Sequence, residues 1–149
     1  MTPKHNKKPR KASNTSPPAY TPRKAQDPNI FNTNEFCWRV SDKFIDYDDE
    51  KWGWGNVQMR DFFHRLLPRL QEYETMRWDE LFRRQSCHAW IISDLPKDAQ
   101  RKLRKKYPEL DTFHQVDMEQ PCRLLGFRDR QDFYLIWHDP NHDICPLQK

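Results

Sequence analysis

The chain has 149 residues, 32% of them charged, with a mean hydropathy of −1.14 and a formal net charge of +4. That length fits one domain, and no apolar run approaches the roughly 18 residues of a membrane span. The three glycines, Gly53, Gly55 and Gly126, do not make a GxGxxG or GxxxxGK loop, which excludes dinucleotide folds and P-loops.

The charge is segregated. Residues 1–34 carry seven basic side chains against Asp27 alone, whereas the remaining 115 residues carry 19 basic and 21 acidic ones. Six of the twelve prolines fall in the same N-terminal stretch. With almost nothing apolar before Ile30, it cannot offset its ordering entropy, and residues 1–32 read as a disordered basic arm. Residues 33–147 read as a single α+β domain. The arm has two readings: a segment that attracts phosphates over about one Debye length, or a solubilising leader. No apolar stretch follows the basic N-terminus, so no secretory signal peptide is expected. The chain reads as cytoplasmic, and Cys37, Cys87, Cys122 and Cys145, widely spaced and without a CxxC, read as reduced thiols.

Phe36, Trp38 and Val40 alternate with Cys37 and Arg39, the signature of a half-buried strand. An acidic loop follows at Asp46, Asp48, Asp49 and Glu50, then a turn, Trp52-Gly53-Trp54-Gly55. Over 57–73 the period becomes helical, with Val57, Phe62, Phe63, Leu66, Leu67, Leu70 and Tyr73 on one stripe. Pro68 is expected to kink or split that helix. Thr75 is placed to cap a short second helix carrying Trp78, Leu81 and Phe82.

Residues 87–92 read as a strand, and Ser93-Asp94-Leu95-Pro96 as a helix start. Leu95, Ala99 and Leu103 form the inner face of that helix, and Pro108 ends it. Three strands are expected over 112–118, 122–127 and 132–137, the last two joined by a turn at Asp129-Arg130-Gln131 that lacks glycine. The order from Cys87 onward, strand–helix–strand–strand–strand, gives an α+β fold: a small curved antiparallel sheet with helices packed on one face. Trp38, Trp78, Trp90 and Trp137 fall on apolar stripes and read as core.

The run from Met76-Arg77-Trp78 through Ser86-Cys87-His88 and Arg123-Leu124-Leu125-Gly126 ends in Phe133–Pro146, with Trp137-His138-Asp139-Pro140-Asn141-His142 at its centre. This pattern resembles a family of small bacterial proteins of unassigned function, marked by a His on the first strand and a C-terminal W-x-D-P-x-H. The element order from residue 87 is also similar to that of the RelE/ParE toxin superfamily. That resemblance implies the toxin half of a toxin–antitoxin pair, with RNA or the ribosome as target, an antitoxin-like protein as partner, and endoribonuclease activity. Basic residues on the sheet would bind RNA.

Cleavage of RNA by its own 2′-oxygen needs a base, a cation beside the phosphorane and an acid for the leaving oxygen. The catalytic candidates are His142, Arg123, His88 and Tyr134, with His138 beside them. Alternation puts Arg123 and Arg128 on opposite faces of their strand unless a bulge intervenes. The competing reading of Arg123 is an ion pair with a carboxylate such as Asp139 that braces the fold. Lys97, Arg101, Arg104 and Lys105, with Arg128, are the nucleic-acid-binding candidates; the helical ones also suit a solvated face.

His138-x3-His142-x2-Cys145 has ligand-like spacing, but its fourth ligand would have to come from His88 or Cys122. The simpler reading is a turn at Asp139-Pro140-Asn141 spanned by His142, and no metal or other cofactor is assigned. Cys87 and His88, adjacent on a strand, point to opposite faces and cannot form a dyad. The alternative function is a non-catalytic interaction module using the Trp52–Trp54 loop or the helix pair.

Overall fold

The computed structural model describes residues 28–145. Five strands, β1 (Cys37–Arg39), β2 (Cys87–Ile91), β3 (Thr112–Asp117), β4 (Arg123–Asp129) and β5 (Asp132–Asp139), form one open sheet in the order β1-β5-β4-β3-β2. Neighbours from β2 to β5 are antiparallel, while β1 runs parallel to β5, so the sheet is mixed. The fold is α+β.

Helices cover both faces rather than the one expected. On β3 and β4, Val116 and Leu124 belong to a core with Leu70 and Tyr73 of α2 (Leu67–Glu74) and Trp78 and Leu81 of α3 (Trp78–Arg83). The alternate residues Phe113 and Leu125 belong to a second core with Ala99 and Leu103 of α4 (Lys97–Lys106). A strand presents successive side chains to opposite faces, and here both are apolar.

The helix expected over 57–73 forms as α1 (Met59–Asp61), a π-helical turn over Phe62–Leu66, and α2. The turn is sited by Pro68, the second residue of α2, which has no N–H to return to the preceding turn. The i→i+5 register rotates Phe63 out of the stripe, where it is 53% exposed. Thr75 does not cap α3: its hydroxyl donates to Glu72 O at 2.6 Å, and Arg77 takes the N-cap position. Val40 is exposed because β1 ends at Arg39.

Residues 28–32, assigned to the arm, contain structure: Pro28–Phe31 form a 3-10 turn and Asn32 O accepts the Asp79 amide at 2.8 Å. The rest of that arm lies outside the described residues. The two-residue loop between β4 and β5 forms without glycine, Arg130 adopting φ 59.

The register between β4 and β5 slips at Leu125/Gly126, where Gly126 pairs with Leu135 and Leu125 with Trp137. Ile136 is therefore the extra residue of a bulge. Downstream of it the alternation of β5 is inverted: Trp137 joins Ile136 on the α4 side, and His138 turns toward the α2 side.

Candidate functional site

The α4-side surface of β2 and β3 carries a row of polar side chains where a fully apolar strand would place core. Trp90 Nε1 donates to Gln115 Oε1 at 3.0 Å, and Gln115 Nε2 donates to Asp117 Oδ1 at 2.9 Å. Arg123 of β4 closes the row, its Nε 3.0 Å from Asp117 Oδ1. The remaining guanidinium nitrogens donate to Cys122 O and Gln120 Oε1, both at 2.9 Å.

This row forms the floor of a pocket of about 500 Å³. His88 enters from β2 and His142 from the loop after β5, and both are half-buried. Arg69 of α2 and Arg84, just past α3, line the opposite side. The pocket thus joins imidazoles and guanidinium groups from five separated segments.

His142 is held by a local clasp. The buried Asp139 carboxylate accepts the amides of Asp143 at 3.0 Å and Ile144 at 2.9 Å, folding the chain back after Pro140. His142 sits in that fold at φ 59, and Gln85, another residue of the pocket wall, also has φ 59. Positive φ at a residue with a Cβ costs about 1–2 kcal/mol, and such conformations concentrate at functional sites.

Three of the four catalytic candidates, His88, Arg123 and His142, therefore line one pocket. Tyr134 does not; its ring packs on Phe44 and Phe127. Arg123 is braced by Asp117 rather than Asp139, because Asp139 is engaged by the clasp. Arg128 fails as a phosphate contact: it is 6% exposed, lies 4.0 Å over the Trp78 ring, and donates to Arg130 O and Asn32 Oδ1. Arg69 and Arg84 carried no periodic signal in the sequence, because Arg69 within α2 and Arg84 just past α3 belong to no apolar stripe.

Of the α4 cations, Lys97, Arg104 and Lys105 are exposed, and Arg101 pairs with Asp98 at 2.7 Å. Lys102 and Lys106 turn inward to Asp49 at 2.8 Å and Asp46 at 2.7 Å. None of these α4 cations lines the pocket.

The ligand-like spacing of His138, His142 and Cys145 does not become a cluster. His138 approaches Cys122, His142 lines the pocket, and Cys145 is buried in the α4-side core. Among the described residues no group of three or more His, Cys, Asp or Glu side chains is arranged to hold a metal ion.

Trp52 and Trp54 are not a binding edge. They are 5% and 7% exposed, Trp52 packed on Trp137 beneath the Lys102 ammonium and Trp54 on Phe62 and His138. Trp90, expected in the core, is half-buried at the pocket.

No helix among the described residues is long and apolar enough to cross a membrane. No family model, curated protein or solved structure matches the chain.

Proposed function

We propose that the protein binds RNA at the pocket between β2, β3 and the loop after β5, and cleaves it there. In this reading it acts in the cytoplasm as a RelE-like toxin, on free or ribosome-bound RNA, and a protein antitoxin neutralises it. The observation that carries the reading is the meeting of His88 and His142 with Arg69 and Arg84 around one polar pocket. Two imidazoles supply the proton acceptor and donor that phosphodiester transfer needs near neutral pH, and the arginines match the phosphate oxygens.

One imidazole takes the 2′-hydroxyl proton as that oxygen attacks phosphorus. The other gives a proton to the departing 5′-oxygen, leaving a 2′,3′-cyclic phosphate and a free 5′-hydroxyl. Arg69 and Arg84 stabilise the charge gathered on the phosphorane. Arg123, spent on Asp117 and Gln120, is a positioning residue that fixes the pocket floor.

The test is RNA cleavage by the purified protein, alone and with translating ribosomes, beside His88→Ala and His142→Ala variants shown to be folded by circular dichroism. Cleavage that falls at least about 100-fold in either folded variant supports the assignment. No cleavage in either setting removes the ribonuclease reading. The interaction-module alternative loses its tryptophan edge and retains only the helix pair, where Met59 and Phe63 are exposed.

A further inference from the structure

We infer that Cys122 and His138 form a second reactive site, a nucleophile–base pair that takes an acyl group from a small ester or thioester. Cys122 Sγ lies 3.4 Å from His138 Nε2, within hydrogen-bonding range for sulfur. Both line a cavity of about 210 Å³, bounded by Val57, Asp61, Arg65, Met118 and Pro140 and adjoining the pocket of His88 and His142, with which it shares Met118 and Gln120. Room for a small molecule, a thiol, and an imidazole nitrogen that accepts the thiol proton in the Nδ1–H tautomer are the parts that covalent catalysis by cysteine requires.

The fold builds this pair deliberately. His138 opposes Leu124 across the β4–β5 ladder, and Cys122 lies two residues before Leu124 on the same face. The Ile136 bulge is what turns His138 to that face, since unbroken alternation from Phe133 would point it at α4. The π-helical turn contributes the opposite wall, with Asp61 just before it and Arg65 within it. Such turns recur at functional sites.

In the reaction, Cys122 Sγ bonds to the carbonyl carbon while its proton passes to His138 Nε2. The alkoxide or thiolate leaves with that proton, and the acyl group remains as a thioester on Cys122. Water, losing a proton to the same nitrogen, then releases the carboxylic acid and restores the thiol. Thiol and imidazole are both neutral at rest, because burial pushes the Cys122 thiol up to about 11 and holds His138 below its ordinary value. The base must therefore act during attack rather than before it.

The test is acetylation by 4-nitrophenyl acetate, followed by nitrophenolate release and by mass spectrometry of cysteine peptides. Cys37, the other half-buried thiol, is the internal control. Cys122 acetylated at least tenfold faster than Cys37, with a tenfold or greater fall in folded His138→Gln, supports the pair. Equal labelling of Cys37, or an unchanged Cys122 rate in His138→Gln, overturns it.

If His138→Gln does not fold, the pH profile of the unsubstituted protein decides. Base assistance by His138, with Asp61, Arg65, Glu119 and Asp139 as the charges around it, gives a rate that has already levelled off below the ordinary imidazole value of about 6.5, since burial lowers the His138 pKa. An unassisted thiol instead gains about tenfold per pH unit up to about 11.

Discussion

The carboxylate of Asp46, 2% exposed, accepts a hydrogen bond from the indole nitrogen of Trp137 at 2.8 Å. The same carboxylate receives the Lys106 ammonium at 2.7 Å and the amides of Asp48 and Asp49 at 3.2 Å. One side chain thus ties the loop before Trp52, the sheet and the end of α4. Burial alone would raise its pKa, but the hydrogen bonds from Lys106 and Trp137 outweigh burial and hold it below the ordinary carboxylate value.

Asp46→Ala is expected to destabilise the protein by about 2–4 kcal/mol, since it leaves a buried indole N–H unpaired and a lysine without its partner. Because the folded-state pKa is depressed, the stability Asp46 contributes is complete above about pH 4–5 and is lost as pH falls through the lower folded value. Urea titrations at pH 7 and pH 3 read both: the variant has the lower midpoint at pH 7, and the gap narrows at pH 3.

The order of elements from β2 to β5 was legible because the strands are short apolar runs bounded by turn residues, and Leu95, Ala99 and Leu103 fall where a buried helical face requires. The bulge at Ile136 was not legible, as it inserts a residue with no compositional mark. It alone reassigns the faces of Trp137, His138 and Asp139, and so hid the Cys122–His138 pair. Arg123 and Arg128 were correctly set on opposite faces, but the pairing of Arg123 with Asp117 depends on the β3–β4 register, and Arg128 is held by Asn32, 96 residues away. The acidic loop was legible only as a loop; its carboxylates Asp46 and Asp49 are counter-ions for Lys106 and Lys102 of α4.

The same bulge explains one glycine. A Cβ on Gly126 would stand 2.2 Å from Tyr134 O and 2.6 Å from Phe133 Cε2. Both the neighbouring strand and a buried ring would have to move, so Gly126→Ala should cost about 3 kcal/mol or more, the upper range of core overpacking. A thermal melt checks this; a shift of less than a few degrees would mean that the bulge relaxes freely.

His114 lies on the α2-side face of β3, buried against Trp78 and Phe82, with Nδ1 lacking a hydrogen-bond partner. Burial, aided by the nearby Arg128 charge, lowers its pKa to about 3. The unfolded chain therefore binds a proton between about pH 6.5 and 3 that the folded protein refuses. Stability is full above that window and falls as pH drops through it, by at most about 1.4 kcal/mol per pH unit from this residue. His114→Leu should remove that component, which comparison of urea midpoints at pH 7 and pH 4.5 would show as a shallower loss than in the unsubstituted protein.

His142 separates chemistry from stability. Its φ of 59 suits glycine, and the clasp around it is made by Asp139 carboxylate and backbone amides, not by the imidazole. His142→Gly is therefore expected to leave stability unchanged or to raise it by up to about 1 kcal/mol through relief of the left-handed conformation. Arg123→Ala, by contrast, leaves Asp117 without its cation and should cost about 3–5 kcal/mol. Paired denaturation curves test the contrast. A large loss in His142→Gly would assign the imidazole a structural task, whereas an intact or stabilised variant that no longer cleaves RNA would mark a residue held in a strained conformation for its chemistry.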